Sequence, residues 1–341
     1  MKLLVVKLSA FGDIIHAMPA LDDLLSHPEV TEVHWLVDSR YAFVTEVFPE
    51  QVRVHSIALK GPNPLRAAWN TVCSLRKQRF DIVIDLQGLI KSSLLARLIA
   101  SPVFGFDAQH AREKASILLT RTARFHPQER HIVQQCRRIA AAPFTSDIMQ
   151  QPDDPIPYIS PHIPVTDSMR EAGRQIQQQQ TLSPDSYVIL HIGGGWQTKQ
   201  LPAEIWQGVA DGITSKSWSP VYTWGNTAEH EMAKHLAENS AAIVLPERLN
   251  MSALCGLLAD ARAVIGADTG ILHLAAALNA PTITFWGPSA SWRSGPIGEK
   301  HWHIESNPAC GPCFKRSCNH FICMEKIQAS AILEALYEAG G

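Results

Sequence analysis

Asp13 is the one acid in KLSAFGDIIHAMPAL (residues 7–21), a stretch that begins directly behind the apolar run Leu3–Val6, where a strand should pass into a helix. Gly12 before it lets the chain bend sharply. A carboxylate at a helix start caps free N–H groups; aimed at a ligand, the same carboxylate could serve as a general base. Position alone leaves both roles open, and residues elsewhere in the chain must decide.

The sharpest of these lie in GADTGILHLAAAL (266–278), where an apolar strand ends in Asp268-Thr269-Gly270 and a helix begins at once. Free N–H groups, the helix dipole, a threonine hydroxyl and a small glycine make an anion seat suited to a diphosphate. His273 follows Gly270 by about one turn, where it either touches the same group or packs. A second stretch, HIGGGWQTKQLPAEIW (191–206), sets Gly193, Gly194 and Gly195 after a strand and before a helix, with Lys199 as a nearby positive charge. The glycines allow close backbone approach to a ligand, and the lysine could neutralise a departing phosphate. In YTWGNTAEHEMAKHLAE (222–238), Glu229 and Glu231 stand just past a third strand end, placed either to accept from ribose hydroxyls or to cap a helix.

Together these stretches point to a nucleotide diphosphate site. The sequence has no G-x-x-x-x-G-K-[ST] loop and no G-x-G-x-x-G fingerprint, which removes the best support for P-loop hydrolysis and standard dinucleotide chemistry. D-x-D is absent too, so the diphosphate charge falls to helix ends and basic side chains.

Of seven cysteines, Cys73, Cys136 and Cys255 are isolated in apolar surroundings, whereas Cys310, Cys313, Cys318 and Cys323 crowd together. Four thiolates on a short loop could form a closed tetrahedral site for structural Zn or Fe. A disulfide pair or free buried thiols are the alternatives.

The elements that must position these residues alternate along 341 residues, long enough for about two domains. Strands are expected at 2–8, 33–38, 52–58, 82–86 and 103–106, with helices near 13–25, 65–79 and 91–100. A second series follows, with strands near 187–192, 220–224, 243–245, 263–267 and 282–286, and helices near 202–213, 228–238, 252–259 and 270–278. Such alternation predicts parallel sheets wrapped by helices. Residues 151–167 hold five prolines and read as the linker between domains 1–155 and 168–341. Two sheets of this kind facing across a cleft would line it with the loops at their strand ends.

Composition bounds the partners. With 46% hydrophobic and 18% charged residues the chain reads as an ordinary globular protein, and no apolar run is long enough for a membrane span, so a cytoplasmic location is expected. Residues 1–150 carry 18 Lys and Arg against 14 Asp and Glu, while the remainder carries 12 against 18. Residues 51–80 contain no acid, and this basic stretch points to an anionic partner or to a solvated helix face. Nucleic acid is the weaker idea, because the overall balance is acidic and no recognition motif is present.

KLSAFGDIIHAMPAL, DLQGLIKSS (85–93), AREKAS (111–116) and GADTGILHLAAAL, in this order, resemble the lipopolysaccharide heptosyltransferases of glycosyltransferase family nine. The similarity spans nearly the whole chain and is strongest to members that use Kdo-lipid A. It implies the GT-B fold, two Rossmann-like doubly wound α/β domains, with an N-terminal acceptor domain and a C-terminal domain holding ADP-heptose. The last helix is then expected to pack back on the first domain. The resemblance further implies inverting transfer without a catalytic cofactor, at a peripheral contact with the inner membrane, with Asp13 as general base. It assigns Lys199, Asp268, Thr269, Gly270 and His273 to the donor diphosphate, beside Gly193, Gly194 and Gly195, and likens Glu229 or Glu231 to the ribose-binding glutamate. Gly12, Lys60, Arg66, Lys91 and Arg112 become candidates for the anionic Kdo-lipid A acceptor. The chain departs from the family at Gly193–Trp196, where members carry hydroxyl residues, so backbone N–H groups would replace side-chain contacts. Cysteine knuckles of this kind resemble those of some members, including autotransporter heptosyltransferases that bind iron. Transfer to another heptose or to protein hydroxyls, a GT-B epimerase and a non-catalytic nucleotide-binding module are the competing expectations.

Overall fold

Leu3, Leu4, Val5 and Val6 are fully buried in β1 (Lys2–Val6). A continuous apolar run suits a strand covered on both faces. β1 pairs in parallel with β2 (Glu32–Asp38) on one side and β4 (Ile82–Asp85) on the other. With β3 (Val52–Ile57), β5 (Val103–Gly105) and β6 (Arg121–Thr122) the order is β3-β2-β1-β4-β5-β6. Helices α1 (Phe11–His16), α2 (Met18–Ser26), α3 (Pro64–Arg76), α4 (Ile90–Ile99) and α5 (Ile132–Ala141) complete this unit, with a 3-10 turn at Lys114–Leu119. Under α3 and α4, Val72, Leu75, Ala96 and Ile99 pack on Leu4, Val6 and Leu36.

The computed structural model describes residues 1–145, 150, 152–238 and 240–339. The chain divides into Met1–Pro161 and His162–Gly341. In the second unit β7 (Tyr187–His191), β8 (Ser219–Thr223), β9 (Ile243–Val244), β10 (Ala263–Ala267), β11 (Thr282–Trp286) and β12 (His301–Glu305) run in the order β12-β11-β10-β7-β8-β9. Around them lie α6 (Asp167–Gln179), α7 (Ala203–Ser215), α8 (Thr227–Ala237), α9 (Met251–Ala259), α10 (Gly270–Ala277), α11 (Ser291–Ser294), α12 (Ile322–Glu325) and α13 (Ala329–Ala339). Trp206, Tyr222, Ile265 and Phe285 fill the core. Both sheets are wholly parallel, as the alternation of elements predicts, and each reverses its strand order beside its first strand: at β1/β4 and at β7/β10. Loops at such reversals diverge and leave a crevice beyond the strand ends.

Two differences from the expected elements stand out. The helix expected at 13–25 is two helices, because Pro19 in the first turn of α2 has no N–H to continue α1. Strand β12, HWHIE, was not expected at all, since its polar residues hide the pattern. The last helix, α13, packs on α7: Tyr337 Oη donates to the Gly212 carbonyl at 3.2 Å, and Leu333 fills the space left by Gly212.

In the proline-rich segment expected at 151–167, residue 151 lies outside the described residues, as do 340–341 at the chain end. Residues 155–166 carry no helix or strand, Asp167 opens α6, and side chains of α5 hold part of the segment. Gln134 Nε2 donates to the Ile156 carbonyl at 2.7 Å and Arg137 Nη1 to the Pro157 carbonyl at 2.6 Å.

Helices α6 and α9 cross through facing glycines. A Cβ on Gly256 would lie 2.0 Å from the Met169 carbonyl oxygen. Gly256→Ala is therefore expected to force the helices apart at a cost of about 1–3 kcal/mol, read as a lower thermal midpoint for the second unit. An unchanged midpoint would show that the crossing is looser than described.

Candidate functional site

The β1 loop is fixed by the β4 loop. Gln87 Oε1 accepts from the Leu8 and Ser9 amides, each at 3.0 Å. Asp85, buried at the end of β4, accepts from Ser92 Oγ (3.0 Å), Ser93 Oγ (2.6 Å) and the Gln87 amide (2.9 Å). Burial pushes this carboxyl above the usual range, opposed by those donors. The DLQGLIKSS segment thus ties the start of α4 to the loop that carries Asp13.

Asp13 is the third residue of α1 and accepts from the Ala10 amide at 3.1 Å, so the capping role is real. It has a second role. Arg112 Nη2 donates to both carboxylate oxygens, at 2.8 and 2.7 Å. Burial alone would raise the Asp13 carboxyl; the charges of Arg112 and Lys7, with the Ala10 amide, outweigh it and hold the group well below the usual range. Lys7 is buried and donates from Nζ to the Leu86 carbonyl at 2.7 Å, with burial pulling its ammonium below the ordinary lysine value. Neighbouring Cys136 on α5 is buried and its thiol pushed up to about 11, which leaves it protonated.

Gly12 sits in the first turn of α1. Lys60 follows β3, Arg66 lies in the first turn of α3 and Lys91 in the first turn of α4, and all three side chains are exposed. Of the four basic candidates, Arg112 alone contacts Asp13.

In the second unit the β10 loop and the β7 loop meet through charge. Lys199 Nζ donates to Asp268 Oδ2 and to the Asp268 carbonyl, both at 2.6 Å, and His273 Nε2 lies 2.9 Å from Asp268 Oδ1. Burial would raise the Asp268 carboxyl, but Lys199, then His273, hold it far below the usual range. Lys199 also stands 4.5 Å from the Trp196 ring centroid. Thr269 precedes α10 without capping it, and its buried Oγ1 has no hydrogen-bond partner. With the first amides of α10 from Gly270 onward, this hydroxyl sets hydrogen-bond donors beside the Lys199 cation.

The glycine loop discriminates between its members. A Cβ on Gly193 would lie 2.8 Å from His191 Nε2 and 2.9 Å from Glu229 Oε2, so a larger residue there would displace those side chains; Gly194 and Gly195 face open space or ordinary contacts. Glu229 is turned to this loop, accepting from the Gly225 amide at 2.7 Å. Glu231 points away into an exposed pair with Lys234 at 3.0 Å. Sequence reasoning missed His191, which is buried at the end of β7 with Nδ1 3.1 Å from Thr223 Oγ1. It also missed Lys7 and Gln87; a lysine closing an apolar strand was the one available signal.

The cysteine segment does not fit the Zn or Fe expected of it. Cys310, Cys313, Cys318 and Cys323 are free thiols, and among the described residues no three His, Cys, Asp or Glu side chains gather where a metal ion could sit. Cys323 on α12 is turned into the core beneath Gly287, whose Cβ would lie 3.1 Å from its Sγ, whereas Cys310 is exposed.

The sequence profile of glycosyltransferase family 9 (heptosyltransferase) matches residues 69–321. The chain is 32% identical over 334 residues to lipopolysaccharide heptosyltransferase 1 of Pseudomonas aeruginosa, covering 94% of this chain and 88% of that protein. Identity to lipopolysaccharide heptosyltransferase 1 of Escherichia coli K12 is 28% over 310 residues, 88% of this chain and 92% of the relative. Among solved structures, E. coli heptosyltransferase WaaC with ADP-2-deoxy-2-fluoro heptose is similar with a TM-score of 0.75 and 25% identity, across 99% of both chains.

Burial holds the His191 imidazole down at about 4, against 6.5 for the free side chain. Between those values the unfolded chain binds a proton that the folded chain refuses, so the second unit loses stability as pH falls from about 6.5 toward 4. His191→Asn should remove part of that slope in chemical unfolding. An equal slope in parent and variant would contradict a neutral, buried imidazole.

Proposed function

The chain belongs to glycosyltransferase family 9, the heptosyltransferases, and from that premise we propose that it moves a heptose from ADP-heptose to the Kdo of the lipopolysaccharide inner core. The observation that carries this reading is the near full-length identity to lipopolysaccharide heptosyltransferase 1. The geometry supplies roles. In the second unit, the Thr269 hydroxyl and the opening amides of α10 receive the donor diphosphate. Lys199, anchored by Asp268, offers its charge to the ADP that departs. Asp268 orients His273 against the same seat. Glu229 accepts from the ribose hydroxyls where Gly193, Gly194 and Gly195 let the nucleotide approach the backbone, and Glu231 takes no part.

In the first unit Asp13 is the general base. As the acceptor oxygen bonds to the anomeric carbon, its proton passes to the Asp13 carboxylate and the bond to the ADP oxygen breaks, with that oxygen keeping the electron pair; the anomeric centre inverts. A carboxylate held so far down is ionised at neutral pH but weakly basic. An anionic acceptor corrects this by competing for Arg112: as the guanidinium turns to the acceptor's carboxylate, Asp13 loses its strongest countercharge and gains basicity. Lys60, Arg66 and Lys91 take the remaining anionic groups, and Gly12 keeps the α1 turn open to the acceptor. The reaction then takes place on the cytoplasmic side, at the inner-membrane surface that carries the lipid acceptor. Among the described residues no helix is long and apolar enough to cross a membrane.

An acceptor panel tests the reading. Incubation with ADP-heptose and Kdo-lipid A should yield one added heptose by mass spectrometry and one ADP released. Transfer only to a heptose or to a protein hydroxyl, or turnover of the nucleotide sugar alone, would overturn it. Glu229→Gln should weaken ADP binding by about tenfold or more, as loss of a charged hydrogen bond does. Glu231→Gln should leave ADP binding within about twofold, because an exposed ion pair contributes little; equal losses would undo the assignment.

A further inference from the structure

The first unit holds large apolar side chains in solvent on three neighbouring elements. Leu65 (86% exposed) and Trp69 (54%) lie one turn apart on α3, Ile90 (43%) and Leu94 (46%) one turn apart on α4, and Leu118 (83%) on the Lys114–Leu119 turn that packs against α4. On α4 they stand opposite the buried face of Ser92, Ser93, Ala96 and Ile99. These five are nearly half of the strongly exposed large apolar residues described in the chain. Single exposed leucines are ordinary, but a set sharing one layer is not.

The charges around them are mostly positive. Lys60, Arg66, Lys91, Arg97 and Lys114 are exposed among these residues, and the basic stretch leading into and along α3 carries no acid. Glu113, the nearest acid in the Lys114–Leu119 region, is occupied by the Ile90 amide at 2.7 Å. A second copy of the chain would set these cations against each other. A bilayer with anionic headgroups answers both features at once, since the cations meet phosphates while Trp69 and the leucines enter the interface.

We propose that the outer face of α3, α4 and the Lys114–Leu119 turn docks on an anionic lipid bilayer. This deepens the proposed function and rests on its lipid-borne acceptor: docking would hold the Asp13 loop, at the carboxyl edge of the same sheet, close to the membrane that presents the acceptor. It assigns a role to Leu94 and Leu118, which the transfer chemistry does not use.

The full chain is sedimented with vesicles of phosphatidylethanolamine containing a minority of phosphatidylglycerol, and with phosphatidylcholine vesicles, none carrying acceptor. The parent protein should bind the anionic vesicles and largely ignore the neutral ones. A Leu94→Asp, Leu118→Asp double variant should bind the anionic vesicles at least about tenfold more weakly, a change of about 1.4 kcal/mol, with an unchanged thermal midpoint and unchanged transfer to a water-soluble, deacylated Kdo acceptor. Arg97→Glu with Lys114→Glu should lose binding in the same way. Vesicle binding equal in parent and variants would overturn the proposal, as would a parent that ignores anionic vesicles. A dimer that the double variant converts to monomer, with vesicle binding unchanged, would assign the face to a second copy instead. Loss of vesicle binding by the variants, in a protein that transfers no heptose to any acceptor, would leave the docking face standing and refute only the transferase reading.

Discussion

A carboxylate withdrawn from water must be matched by a cation, and each unit of this chain is organised around one such match. In the first, Asp13 is held by Arg112 and backed by buried Lys7. In the second, Asp268 is held by Lys199 and His273. Lys7 and His273 are local, but Arg112 stands 99 residues from Asp13 and Lys199 69 residues from Asp268, and these pairs meet because parallel strands end on one edge of each sheet. The Lys199–Asp268 pair is the more deeply enclosed of the two, whereas Arg112 remains more than one-third exposed beside Asp13, so removing Lys199 strands a charge more severely than removing Arg112. The two loops therefore depend on the sheets, and the chemistry on the loops.

The two sheets repeat one topology without a repeated sequence. In both, the first strand sits centrally, the next two strands extend to one side and the following three to the other. The same edge of each carries the charged pair. What differs is the surroundings of the pair: Asp13 shares both oxygens with the partly exposed Arg112, whereas Asp268 fixes Lys199 beside the start of α10.

Much of this was legible in the residues. Apolar runs located the inner strands, and the Asp-Thr-Gly turn, the glycine triplet and the lone acid of the first turn stand out because each falls between an apolar run and a helical pattern, where a strand end meets a helix start. What stayed hidden was tertiary. Nothing in the local sequence says that Gln87 holds the β1 loop, or that Glu229 rather than Glu231 turns to Gly193. Those choices follow from helix phase and from a contact 36 residues away along the chain. The sequence left the capping and base roles of Asp13 open; the structure shows the carboxylate accepting from the Ala10 amide and from Arg112 together, a pairing that no local pattern announces. The cysteine spacing says how close the thiols can come but not how each is buried: Cys323 is turned into the core while Cys310 is exposed.

The account turns on Asp13 as the group that takes the acceptor proton. The most direct measurement is the single-turnover rate of an Asp13→Asn variant with ADP-heptose and Kdo-lipid A both saturating, alongside its affinity for each. A base contributes about 100- to 10,000-fold, so the rate should fall by that factor while donor affinity stays near that of the parent. A rate within a few-fold of the parent, or a loss explained wholly by weaker binding, would contradict it.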